Sequence, residues 1–148
     1  MAAIANNLIT NILTATLPTG TSGAPGSFTA LAAGAMKVRL NSTASTGAAA
    51  GTEIGSGGGY TTGGTALANA ITLSGTPSTG ALPATTALSW TNSSAGTWSV
   101  MSFDLTDSAG TRTWYGNFNG TTNGTVAISV AVGNTFQIAV GGITVSLT

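Results

Sequence analysis

Cysteine and histidine are both absent from this chain. The first absence excludes disulfide staples and thiolate metal sites. The second removes the side chain that most often moves protons in enzymes, leaving acid-base work to Glu53, Asp104 and Asp107. Asp104 and Asp107 fall at a strand end and in a turn, where Asp ordinarily caps backbone. No enzyme, cofactor or metal is expected. Charge is equally scarce: among 148 residues only Lys37, Arg39, Glu53, Asp104, Asp107 and Arg112 carry one, and they cancel. With no basic stripe to neutralise phosphates or an anionic leaflet, neither nucleic acid nor membrane is expected as a partner. No stretch reaches the roughly 18 consecutive apolar residues of a spanning helix. No Lys or Arg precedes the apolar residues of 1–17, which argues against a secretory signal and for a chain retained in the cell that makes it.

What is abundant is Gly, Ala, Ser and Thr, a composition that suits short strands and turns around a thin core. In residues 1–17, Ile4, Leu8 and Ile12 recur every four residues beside Ile9 and Leu13, which predicts a helix ending before Pro18. Its other face holds Asn6, Asn7, Thr10 and Asn11, polar but uncharged, and suits docking onto a partner. Residues 1–34 therefore read as a helix and linker arm, and 35–148 as a β domain.

Within that domain Met36, Val38 and Leu40 alternate with polar residues as in a half-buried strand. Residues 42–59 show no apolar period and read as a long flexible or extended loop ending in linker glycine. Strands are expected at 65–73, 86–91 and 97–104, with 74–83 a turn. Four more, at 112–118, 125–132, 135–140 and 143–148, are punctuated by Gly133-Asn134 and Gly141-Gly142. Loops of that kind predict tight hairpins and an antiparallel meander with one dry face. Trp90, Trp98, Trp114, Val126, Ile128, Phe136, Ile138 and Val145 are the expected core, with Val130, Val132, Val140, Ile143 and Leu147 on the same face. The whole predicts a mainly β fold, an antiparallel β-sandwich or jelly roll.

Asn92-Ser93-Ser94 and three similar tripeptides match the glycosylation pattern but read as bare turns. The Gly55–Gly59 glycines lack the Lys and helix start of a phosphate-binding loop.

At Gly51-Thr52-Glu53-Ile54-Gly55-Ser56-Gly57-Gly58-Gly59-Tyr60 the sequence resembles small tailed-phage structural proteins of the capsid decoration, capsid fibre or tail fibre type. Residues 98–104, the Asp107-to-Gly110 turn, Tyr115-Gly116 and the closing strand after Gly142 follow the same layout. Thr61-Thr62-Gly63-Gly64 stands where that family commonly has an Arg. The resemblance implies a cement or decoration subunit on the outer surface of a phage capsid, made in the host cytoplasm, with the major capsid protein and copies of itself, as a trimer, for partners. Ile4, Leu8, Ile12, Leu13, Glu53, Ile54 and Tyr60 are the expected assembly interface. A tail-fibre or spike subunit is the rival within phage particles. A carbohydrate-binding module is the rival outside them, and it requires an exposed aromatic row.

Overall fold

The computed structural model of the chain describes residues 3–4, 36–67, 72–74, 79–81, 87–118, 126–139 and 142–146. It is mainly β with antiparallel sheets, as the composition predicts. The largest sheet has the order β1 (Ala3–Ile4), β9 (Arg112–Asn117), β8 (Ser102–Thr106), β2 (Lys37–Asn41), β3 (Thr65–Ala66). Alternation gives this sheet two unlike faces. Val38 and Leu40 lie opposite Leu105 and Phe103 on the apolar face, while Arg39 and Asn41 lie opposite Asp104 and Ser102 on the polar one. Both faces of β8 are buried.

Across the apolar face lies a two-stranded ribbon that turns a corner. One leg pairs β6 (Leu88–Thr91) with β11 (Thr135–Ile138), the other β7 (Trp98–Val100) with β10 (Ile128–Val130). Residues 92–97 face 131–134 at the bend. The core between sheet and ribbon holds Val38, Leu40, Ile54, Tyr60, Leu67, Leu88, Trp90, Trp98, Val100, Phe103, Leu105, Val130, Phe136, Ile138 and Ile143. Trp90 stacks on Phe136 at 6.0 Å between centroids, and Phe118 meets the edge of Phe136 at 5.2 Å. A third sheet joins β12 (Thr144–Ser146), β5 (Thr79–Ala81) and β4 (Thr72–Ser74).

Several expectations need correction. Consecutive C-terminal strands do not form a meander: β10, β11 and β12 pair with β7, β6 and β5 respectively. Gly133-Asn134 turns the ribbon's corner instead of closing a hairpin. The cause is Asn92, whose backbone N–H donates to Asn134 O at 2.8 Å and whose carbonyl accepts from Gly133 N at 2.7 Å. Its buried side chain donates to Val130 O and Gly96 O and accepts from Ser94. An Asn that satisfies the backbone of both legs lets them bend together.

The strand expected at 97–104 breaks at Met101, where the chain passes from the ribbon (β7) to the large sheet (β8). The strand expected at 65–73 is two, β3 and β4, in different sheets, and the turn expected at 74–83 contains β5. Val126 and Val132, expected in the core, are 61% and 53% exposed, because the strand starts after the first and ends before the second. Trp114 and Ile128 are half-buried and pack on the core's rim. Val145 lies on β12. Ala3–Ile4 are strand where a helix was expected; the rest of that helix, with Leu8, Ile12 and Leu13, lies outside the described residues, as do Val140 and Leu147.

Candidate functional site

The segment most suspected of function, 42–64, folds back over the large sheet. It begins with backbone pairing: Ser42 N donates to Thr52 O at 2.7 Å and Ile54 N to Leu40 O at 3.1 Å. This places Ile54 and Tyr60 inside the core, at 5% and 2% exposure. Expected to face a partner, both instead bind the chain to itself. A loop without apolar period can still supply two anchors, one at each end of a glycine turn.

That turn is set by backbone geometry. Gly57 N donates to Tyr60 O at 3.0 Å, and Gly58 and Gly59 between them both have positive φ, 62° and 87°. Two successive positive φ values mark the tight hairpin turn that glycine favours. Position 58 also lies so close to the ribbon's corner that a Cβ would stand 2.2 Å from Ser94 N. Gly58 O accepts from Ser93 N at 3.1 Å. The glycines expected as linker thus form a close contact between loop and corner.

Tyr60 joins loop to sheet. Its ring meets Trp98 edge-on at 6.4 Å, and its hydroxyl accepts from Leu40 N at 3.1 Å while donating to Glu53 Oε1 at 2.6 Å. The same carboxylate oxygen accepts from Gly63 N at 2.7 Å. Burial pushes the Tyr60 phenol well above the ordinary tyrosine range, the Glu53 hydrogen bond and charge add to this, and the Leu40 N–H partly opposes it.

A second cluster lies on the polar face. Asp104, fully buried, accepts through Oδ2 from Arg39 Nη2 at 2.7 Å and from Asn41 Nδ2 at 2.9 Å; Arg112 Nη1 stands 3.8 Å from Oδ1. Asn41 Nδ2 also reaches Ser45 Oγ and Ser102 Oγ, each at 3.1 Å. Arg112 then reaches over the loop, donating to Thr46 O at 2.6 Å, Ala49 O at 2.7 Å and Gly47 O at 2.9 Å. Its guanidinium lies 5.4 Å from the Tyr115 ring centroid. One cation thus serves a buried anion and three loop carbonyls.

The consequence is a surface poor in charge. Four of the six charged side chains, Arg39, Glu53, Asp104 and Arg112, are engaged by partners within the chain, and all six are buried or half-buried. The outward rim of the loop is Thr43, Thr46, Ala48, Ala49, Ala50 and Thr52. Aromatic side chains are likewise internal: among the described residues none is exposed. No group of three or more acidic residues is placed to hold a metal ion among the described residues, and no helix there is long and apolar enough to cross a membrane.

Sequence reasoning singled out Glu53, Ile54 and Tyr60, and the structure does bring them together, as a clip within the chain. It missed Asn41, Ser45, Asn92 and Ser102, whose burial no composition signal announces. No family model matches the chain, and neither a curated protein nor a solved structure shows significant similarity to it.

Proposed function

We propose that this chain is a non-enzymatic virion structural protein, a cement or decoration subunit that binds the outer surface of a phage capsid as a trimer and stabilises it. The observation that carries the reading is the charge-poor exterior: every charged side chain is buried or half-buried. A neutral surface lacks the mutual repulsion that keeps a free protein apart from its neighbours. It suits a protein that spends its life against other protein, and the resemblance of residues 51–60 to tailed-phage structural proteins supplies the particle.

The contact surface is then the uncharged loop rim, with Glu53, Ile54 and Tyr60 supporting it from behind. Attachment rests on shape and apolar burial, at roughly 25 cal/mol per Å², multiplied by the avidity of several copies. The carbohydrate-binding alternative draws no support from the aromatics described, none of which is exposed.

The test is to titrate purified protein onto undecorated capsids across a salt series. Occupancy is expected to stay nearly constant from low to high salt, because screening weakens only charge contacts. Release by moderate salt would sink this account. Labelled protein found on tails instead of shells would move it to the fibre class.

A further inference from the structure

The strand order of the large sheet contains an element out of chain sequence. β1, the first strand, sits at the sheet edge against β9, with β9 and β8 between it and β2, the next strand in the chain. The contact is short: Ala3 lies opposite Tyr115 and Ile4 opposite Trp114. β9 itself is six residues long, so this two-residue strand covers only its middle.

Between Ile4 and Lys37 run residues 5–36. Three strand spacings separate β1 from β2, about 14 Å, whereas a connection of that length can reach about 100 Å when extended. Covalent geometry therefore does not require β1 to land on its own β9. The pairing chemistry is identical when another copy supplies the strand, since backbone groups in the same register meet in both cases. Little electrostatic repulsion keeps a second copy away, because the net charge is zero and four of the six charged side chains are engaged within the chain. Long exposed edges are normally defended by charge or by cover.

We propose that the β1–β9 pairing is made between copies: the arm of one molecule adds the edge strand to the large sheet of another. Exchange of an identical element is a low-cost route to a closed oligomer. It stands on the strand order and would hold whether or not the particle is a phage capsid.

The chain has no cysteine, so engineered thiols report without background. Two single variants, Ala3→Cys and Tyr115→Cys, are refolded together and oxidised; the partners' Cα separation in an antiparallel pair falls within disulfide range. A 3-to-115 disulfide joining the two variants is expected, at a yield about tenfold or more above that with Val132→Cys replacing Tyr115→Cys, as effective concentration dictates. A 3-to-115 bond formed only within the double variant, with none in the mixture, would overturn the proposal, and so would no bond in either. In case Tyr115→Cys fails to fold, the unsubstituted chain and one lacking residues 1–4 are compared by sedimentation. Exchange predicts that the shortened chain loses the oligomer; equal masses for both would overturn it.

Discussion

Tyr60 and Glu53, seven residues apart, share a 2.6 Å hydrogen bond that closes the glycine turn between them onto the large sheet. Removing the hydroxyl in Tyr60→Phe leaves the ring in the core but takes a partner from both Glu53 and the Leu40 N–H. A loss of about 1–3 kcal/mol is expected, read as a lower urea midpoint with an unchanged slope.

The same phenol gives an alkaline signature. Its folded pKa is raised, so above the ordinary tyrosine value the unfolded chain releases a proton that the folded chain keeps. The unfolded state then binds fewer protons, and stability falls as pH rises. The contribution is intact below about pH 10 and declines above it. Urea midpoints measured on both sides of that pH should fall more steeply in the native chain than in Tyr60→Phe; parallel slopes would contradict the assignment.

Asp104→Ala should be far more damaging, by about 3–5 kcal/mol, since it removes the fully buried anion that Arg39 and Asn41 bond and Arg112 faces. Arg112→Ala should act locally. With its three carbonyl contacts gone, amide exchange across residues 46–50 is expected to accelerate while the core strands keep their protection. Uniform loss of protection would show that the arginine supports the entire fold.

Glycine positions offer a paired comparison. Gly58→Ala places a Cβ against Ser94 N at positive φ and should cost at least the 1–2 kcal/mol of the left-handed conformation. Gly96 lies in the facing corner with open space and no positive φ; Gly96→Ala should be neutral or raise stability by about 0.4–1 kcal/mol. Thermal midpoints of the two variants decide it.

On the exposed rim, Ala48→Glu should leave the thermal midpoint within the range of ordinary surface changes, about 0.5 kcal/mol, yet weaken capsid attachment by burying an unpaired charge at the contact. Full attachment would place the contact elsewhere on the molecule.

How far the sequence disclosed this arrangement depended on the kind of interaction. Alternation reveals β2, β6 and β7, because Val38 and Leu40, Leu88 and Trp90, and Trp98 and Val100 face the core at period two. Pairing was not legible: a Gly-Asn loop suits a hairpin or a corner equally well, and the choice fell to Asn92, whose side chain reads as any turn residue until its partners are known. Burial of the polar face was also hidden, since Ser45 and Ser102 are buried by the fold of a loop that has no pattern of its own. Glu53, Ile54 and Tyr60 do lie together, but a shared motif does not reveal whether a cluster faces outward or inward.

The inward placement of charge also determines how this molecule meets an electric field. Of the six charged side chains, only Lys37 and Asp107 lie outside the Asp104 and Glu53 clusters, and these two are opposite in sign. The native protein should drift little in electrophoresis near neutral pH because its charges cancel, and it should be retained poorly by either kind of ion exchanger because few of those charges reach its surface. Each lysine or glutamate introduced on the exterior would then be a nearly isolated charge, and a scan of such substitutions would trace the footprint of any partner against an otherwise blank background.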